Sequence, residues 1–158
     1  MTTDHSETHD ATDQSQAKVV WAQVNLFCRD VELCAQFFEA LGLPRAFIFP
    51  KTGTPEKIEV DAGGVRIGFD SIEAANRIAD LGVQSGGQRS AEVALWVDDV
   101  DTMYARALQA GATAHREPMI GSAGRLRYAW VLDPEEHLVK ILQEVTDAPV
   151  ETGADARR

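Results

Sequence analysis

The sequence has few residues that form disulfides or bind metals, and it has no long apolar run. Its 158 residues include two cysteines and four histidines. No apolar stretch approaches the roughly 18 residues of a transmembrane helix, and the first residues lack the charged and apolar regions of a signal peptide. We therefore expect a cytoplasmic protein that does not enter membranes. Cys28 and Cys34 are expected to be buried thiols rather than a disulfide, because their spacing fits neither a metal site nor a redox motif.

Positive charge is also scarce. The chain has 15 Lys and Arg against 25 Asp and Glu, which gives a formal net charge of −10. A surface of this sign repels nucleic acid and anionic membranes, so neither is expected as a partner. It would attract cationic small molecules, although an acidic balance also serves solubility.

The sequence contains one module twice. Residues Val24–Val31 align without a gap with Val93–Val100 (93 − 24 = 69), and the same offset pairs Gly42 with Gly111. A second match sets Val60–Gly64 against Leu132–Glu136 (133 − 61 = 72). A duplicated unit places equivalent positions around one shared cleft, where we expect the functional site.

Each copy predicts a strand, an aspartate-capped helix, a glycine stop and three further strands. Asp30 and Asp99 are the predicted caps, and Gly42 and Gly111 end the helices. A short additional helix is predicted from Ser71 to Leu81. The later strands are expected at about 45–50, 54–61 and 64–70, then at about 112–117, 125–132 and 137–144.

These elements predict an α+β fold. Two βαβββ modules in tandem form a curved mixed sheet that encloses a cleft, with the helices outside. The predicted divisions are a disordered tail at 1–17, the first module at 18–83, a hinge at 84–90, the second module at 91–146 and a disordered tail at 147–158.

The ordered series resembles the vicinal oxygen chelate superfamily, which includes glyoxalase I, bleomycin-resistance proteins, extradiol dioxygenases and methylmalonyl-CoA epimerase. The resemblance covers about residues 19–145. It is strongest from Val93 to Gly111 and continues at Arg116-Glu117-Pro118 and at Asp133-Pro134. It implies a homodimer with two equivalent clefts and a small organic molecule as the partner.

The resemblance also implies four positions at which metal-dependent members hold a divalent ion. In this chain they fall on Gln23, Glu92, Gly68 and Lys140. Glycine offers no side-chain donor and a protonated lysine repels a cation. We therefore predict no metal and no cofactor.

Glu92 and Lys140 are expected to form an ion pair where the metal would lie, since a charge removed from water requires a partner. One interpretation is a structural salt bridge. The other gives one or both residues a role in ligand anchoring or proton transfer.

Alternation places Trp21, Gln23, Asn25 and Phe27 on one face of the first strand, opposite a core face formed by Val20, Ala22, Val24, Leu26 and Cys28. Trp96 shares the inward face of Glu92. These aromatic residues would either bind a flat, possibly cationic ligand or fill the gap between the sheets.

Two function classes follow. The first is a binding protein of the bleomycin-resistance kind, which holds a drug or metabolite through Trp21, Gln23, Asn25, Phe27, Glu92, Trp96 and Lys140. The second is an enzyme, either a metal-free isomerase, lyase or cyclase that uses Glu92 and Lys140, or a metal-assisted member. Two residues follow the Asp133-Pro134 turn closely. His137 is expected at the surface, and Glu136 stands where the superfamily often has glycine.

Overall fold

The structure is a computed structural model that describes residues 19–85, 91–121 and 124–145. The predicted tails at 1–17 and 147–158, and residues 86–90 of the predicted hinge, lie outside the described residues. No helix within the described ranges is long and apolar enough to cross a membrane.

Each half of the chain forms one four-stranded mixed sheet with a helix, in tandem along the sequence. The first half contains β1 (Gln23–Cys28), α1 (Val31–Ala40), β2 (Arg45–Phe49), β3 (Lys57–Asp61), β4 (Arg66–Ser71) and α2 (Ile72–Ala79). The second half contains β5 (Val93–Trp96), α3 (Val100–Gln109), β6 (Thr113–Ile120), β7 (Leu126–Leu132) and β8 (Leu138–Glu144). The predicted βαβββ repeat is therefore confirmed.

The two sheets have the same strand order and the same register. The orders are β1-β4-β3-β2 and β5-β8-β7-β6, and in each sheet the first listed pair is parallel while the other two pairs are antiparallel. Asn25 lies opposite Gly68 in the first sheet, and Ala94 lies opposite Lys140 in the second. Gly68 and Lys140 thus occupy equivalent positions, as the sequence repeat predicts.

The helices begin at the predicted caps. The side chain of Asp30 accepts a hydrogen bond from the Leu33 N–H at 3.0 Å, and that of Asp99 accepts one from the Thr102 N–H at 3.0 Å. Ser71 caps α2 and so confirms the predicted short helix. These oxygens satisfy N–H groups that the first helical turn leaves without backbone partners.

One apolar core joins the two halves. β3 and β4 in the first half, and β7 and β8 in the second, turn alternate buried side chains towards α1 and α3. The buried side chains of both halves form a single cluster. Its fully buried members include Phe37, Phe38, Ile58, Val60, Phe69, Val100, Val131, Val139 and Ile141. The opposite faces of both sheets, which point away from α1 and α3, hold the candidate functional residues.

The start of the first strand differs from the prediction. β1 begins at Gln23, and Val20 and Val24 are 88% and 53% exposed. Ala22 is exposed as well. β4 pairs with β1 only from Gln23 onward, so the preceding residues have no neighbouring strand and the predicted core face is buried only towards Cys28.

Candidate functional site

A row of four residues crosses one face of the second sheet. Lys140 lies between Ala94 and Trp130, and Trp130 lies opposite Arg116. Residues paired across neighbouring strands project to the same face. Val131 and Val139, one position away, are buried in the core. The row therefore points away from α3.

The side chain of Glu92, two residues before Ala94, reaches Lys140 of this row, and Trp130 contacts both. Lys140 Nζ lies 3.9 Å from Glu92 Oε1, and the indole N–H of Trp130 donates to Glu92 Oε2 at 2.9 Å. The ammonium group also lies 5.0 Å from the ring centre of Trp130 and 5.3 Å from that of Tyr128, within cation–π range. The predicted contact between Glu92 and Lys140 is present, and its role stays a prediction.

An apolar row runs beside the charged one. Trp96, Leu142, Tyr128 and Met119 are successive cross-strand neighbours. Trp96 is 62% exposed and Met119 is 41% exposed. We call the surface formed by Glu92, Trp96, Tyr128, Trp130 and Lys140 the aromatic face.

Alternation along residues 126–132 puts Tyr128 and Trp130 on one side of their strand but does not identify which side. A signal was available in the turn at Asp133-Pro134. Counting outward from that turn pairs Leu132 with Leu138 and hence Trp130 with Lys140, as the structure has them.

The corresponding row of the first sheet consists of Asn25, Gly68, Glu59 and Phe47. The amide of Asn25 lies where a side chain at Gly68 would project. Gln23 donates to the Asn25 side-chain oxygen at 2.6 Å, and its own side-chain oxygen is buried without a partner among the described residues. Position 68 therefore requires glycine for space.

Ion pairs cover the rest of the first face. Lys57 lies 3.1 Å from Asp70 and 3.7 Å from Glu59. Arg66 lies 3.7 Å from Glu59 and 3.8 Å from Asp61. Both cations are thus matched by nearby carboxylates.

Phe27 is half-buried on this face, opposite Asp70, whereas Trp21 precedes β1 and is 66% exposed. Within the described ranges, no hydrogen bond or ion pair joins Gln23, Asn25 or Phe27 to the aromatic face. That the two faces line one cleft stays a prediction.

The four positions implied for a divalent ion do not fit one. Gly68 has no donor and the Asn25 amide fills its space. The Lys140 ammonium, which has no lone pair, lies beside Glu92. No catalytic step through a metal at these positions follows.

A second cluster joins the two modules. The buried carboxylate of Glu135, in the turn between β7 and β8, accepts hydrogen bonds from the backbone N–H groups of Arg29 and Asp30, both at 3.2 Å. His137 lies beside it, with Nε2 3.1 Å from the Phe27 carbonyl oxygen and Nδ1 2.8 Å from Asp133. The expectation of a surface His137 was wrong, because its side chain is 19% exposed and packs against the other module.

The partners of His137 define its protonation. The Phe27 carbonyl only accepts hydrogen bonds, and Asp133 already accepts from the N–H groups of Glu135 and His137 at 2.9 and 2.8 Å. Two accepting partners match a ring in which both nitrogens carry protons. Burial lowers the pKa of His137, but the hydrogen bond to Asp133 and the attraction of its carboxylate outweigh burial and raise the pKa to about 10. The ring is an imidazolium at neutral pH.

Cys28 and Cys34 lie beside this imidazolium as buried thiols, as predicted. Their sulfurs are 2.9 Å apart, and with His137 they form a group of residue types that bind soft metals. As arranged, both ring nitrogens of His137 face oxygen partners, so neither directs a lone pair at the two sulfurs. Hydrogen bonding to Cys28 and burial raise the pKa of Cys34 well above its usual range, which keeps the thiol protonated and unreactive.

The chain matches the family model described as Glyoxalase/Bleomycin resistance protein/Dioxygenase superfamily over residues 21–141. Among solved structures, a glyoxalase/bleomycin resistance protein/dioxygenase family enzyme from Burkholderia phytofirmans PsJN is 26% identical, with a TM-score of 0.65 over 78% of this chain and 97% of that one.

Two further structures share the fold. The hypothetical protein SA1046 from S. aureus has a TM-score of 0.68 at 20% identity, over 81% of this chain and 96% of that one. TioX from Micromonospora sp. ML1 has a TM-score of 0.60 at 24% identity, over 79% and 96%. No curated protein matches the chain.

Proposed function

Since the chain belongs to the glyoxalase/bleomycin resistance protein/dioxygenase superfamily, we propose that it binds a small aromatic molecule on the aromatic face without using a metal ion. The binding protein holds a drug or metabolite and does not transform it. Gln23, Asn25, Phe27 and Trp21 contribute a second wall, and the protein acts as a homodimer with two equivalent sites.

The observation that carries the proposal is the exposure of aromatic rings around a charged pair. Trp96 is 62% exposed. Beside it, the ring centres of the half-buried Tyr128 and Trp130 lie 5.0 Å apart. Exposed indole and phenol rings with polar groups at their edge are typical of small-molecule sites. Core packing of these rings would leave them buried, which favours ligand binding over the structural alternative.

Titration calorimetry with 2-naphthol, a flat and neutral aromatic alcohol, tests the proposal. We expect Trp96→Ala to weaken binding by about tenfold, since aromatic stacking contributes roughly 0.5–1.5 kcal/mol beyond burial. Ile78→Ala removes an apolar side chain that is 71% exposed on α2 and should leave binding unchanged. Absence of binding, or equal losses in both variants, would contradict the proposal.

Sedimentation equilibrium tests the dimer separately. A mass near twice the 17.3 kDa of the chain supports it, and a monomer mass removes it.

The alternative function is an enzyme in which Glu92 and Lys140 move a proton. The long contact of 3.9 Å and the partial exposure of both side chains favour it, because each group remains accessible to a bound molecule. The Glu92→Gln and Lys140→Met variants separate the two functions by NMR observation of a bound compound. Loss of conversion with intact binding supports the enzyme. No conversion by the wild type supports the binding protein, whatever the affinity of the two variants.

A further inference from the structure

We propose that Lys140 anchors an anionic group of the ligand, so that the aromatic face selects aromatic carboxylates over aromatic amines. This inference rests on the proposed binding function and replaces the cationic ligand that the net charge suggested. It assigns a ligand class and makes Lys140 the specificity-determining residue.

Lys140 already occupies the position that a cation would take on the aromatic face. The Lys140 ammonium lies over the rings of both Tyr128 and Trp130. Glu92, the carboxylate beside them, lies near the same ammonium and accepts the Trp130 indole N–H. An amine ligand would have to displace Lys140 from the rings and from Glu92, and the displaced ammonium would remain next to it.

Lys140 also keeps N–H donors for a ligand. An ammonium group has three N–H donors. Within the described residues, Lys140 donates no hydrogen bond, and its only ion-pair distance is the 3.9 Å to Glu92. A carboxylate at hydrogen-bonding distance, about 2.8 Å, would be nearer to Nζ than Glu92 is. Because Coulomb attraction rises as the distance falls, this contact outweighs repulsion from the more distant Glu92 carboxylate.

A second cation, Arg116, lies on the same row as Lys140. Arg116 lies opposite Trp130 on the side away from Lys140, is exposed and makes no ion pair within the described ranges. Since strands are about 4.8 Å apart, the two cationic side chains start roughly 10 Å from each other, with the indole between them. A flat anion that lies over Trp130 therefore meets positive charge on both sides.

The adjacent row supplies the apolar half of the site. Trp96, Tyr128 and Met119 follow one another across the sheet immediately beside the charged row. An aromatic ring system on this row can direct a carboxylate substituent to Lys140. The expected ligand is thus a flat aromatic acid.

Calorimetric titration with three matched naphthalenes tests the inference. The probes are 1-naphthoate, the neutral 1-naphthamide and the cationic 1-naphthylmethylamine, at 50 mM and 300 mM salt. We expect naphthoate to bind at least tenfold more tightly than naphthamide at low salt, and the amine to bind most weakly. The advantage of naphthoate should shrink at high salt because its origin is electrostatic.

Variants locate the effect. Lys140→Met should reduce naphthoate affinity to that of naphthamide, Lys140→Arg should preserve most of the preference, and Arg116→Gln should reduce naphthoate affinity by two- to threefold. Lys51→Met removes the same charge from an exposed residue after β2 and should leave the preference intact. Near-UV circular dichroism establishes that each variant keeps its packing.

The outcomes are distinguishable. If none of the three probes binds, the proposed function fails together with the inference. If naphthamide or the amine binds as tightly as naphthoate, or if Lys140→Met keeps the naphthoate preference, the inference is overturned while aromatic binding stands.

Discussion

Each sheet has a cross-strand row of four residues on the face that points away from α1 and α3. In the first sheet the row is Asn25, Gly68, Glu59 and Phe47. In the second sheet the equivalent row is Ala94, Lys140, Trp130 and Arg116. In the first sheet an amide fills the space above glycine, and salt bridges match each cation with carboxylates. In the second sheet, the Lys140 ammonium lies over the rings of Tyr128 and Trp130. The same backbone register thus carries polar side chains with paired charges in the first copy, and aromatic side chains with a lysine and an arginine in the second.

The turns before β4 and β8 differ in the same way. Asp61 and Asp133 are equivalent, but the Asp61 side chain accepts a hydrogen bond from the Gly64 N–H of its own turn, at 2.7 Å, and lies near Arg66. Asp133 is 2% exposed and holds the imidazolium that contacts the other module. One turn is local and the other joins the modules.

The largest expected effect compares these two aspartates. Asp133→Ala leaves a buried imidazolium and two buried N–H groups without acceptors, so we expect a loss of about 3–5 kcal/mol in the free energy of unfolding. Asp61→Ala should cost less than about 1 kcal/mol, because its contacts are partly exposed. Urea denaturation of both variants measures the difference. Equal losses would show that the turn before β8 is no more important than its counterpart.

The pH dependence of stability sharpens the same comparison. His137 has a folded-state pKa of about 10 against an ordinary value of 6.5. Its contribution is therefore complete below pH 6.5, falls as pH rises because the unfolded chain releases the proton first, and is lost above about pH 10. We expect the free energy of unfolding of the wild type to fall by roughly a few kcal/mol between pH 6.5 and about pH 10.

The His137→Gln variant is the control for this decline, since other groups titrate equally in both proteins. The difference in unfolding free energy between wild type and variant should narrow from pH 6.5 to pH 10. A difference that stays constant would mean that His137 is not held as a cation.

A substitution that adds a side chain at Gly68 makes the row of the first sheet more like that of the second. In Gly68→Ala the new methyl meets the Asn25 amide, and we expect a loss of about 1–3 kcal/mol from overpacking. Asn25→Ala together with Gly68→Ala should recover most of that loss. Thermal unfolding of the single and double variants measures the coupling, and strictly additive losses would contradict the contact.

The smallest expected effect concerns the equivalent turn positions Gly64 and Glu136, which have φ of +93° and +69°. Non-glycine residues are strained in this region. Glu136→Gly should therefore raise the unfolding free energy by about 1 kcal/mol, whereas Gly64→Ala should lower it by a similar amount. Chemical denaturation checks both signs, and destabilisation by Glu136→Gly would show that the Glu136 side chain contributes more than its backbone costs.

Local sequence signals predicted most of the fold. Asp30, Ser71 and Asp99 cap the helices because their side chains reach N–H groups three residues away. The repeat offsets also identified Gly68 and Lys140 as equivalent. These predictions needed only contacts that are close in sequence or duplicated within it.

The errors involve partners that are distant in sequence. His137 contacts Phe27, 110 residues away, so its own neighbours gave no sign of burial. Val20 and Val24 follow the alternation of a buried strand, but alternation does not reveal whether a second strand or a helix covers them. The roles of Trp21, Gln23, Asn25, Phe27, Glu92, Trp96 and Lys140 in binding stay predictions, because a ligand contact has no local signature.

The residues that stabilise the fold and those of the proposed binding surface lie on opposite sides of the two sheets. Side chains that hold the fold, such as Phe38, Val60 and Ile141, lie on the helix-covered side and are fully buried, whereas Trp96 and Phe49 on the other side are 62% and 55% exposed. Substitutions at exposed positions usually change stability by less than about 0.5 kcal/mol. Exposed positions of the proposed ligand-binding surface can therefore accumulate substitutions, and change specificity, with little loss of the folded state.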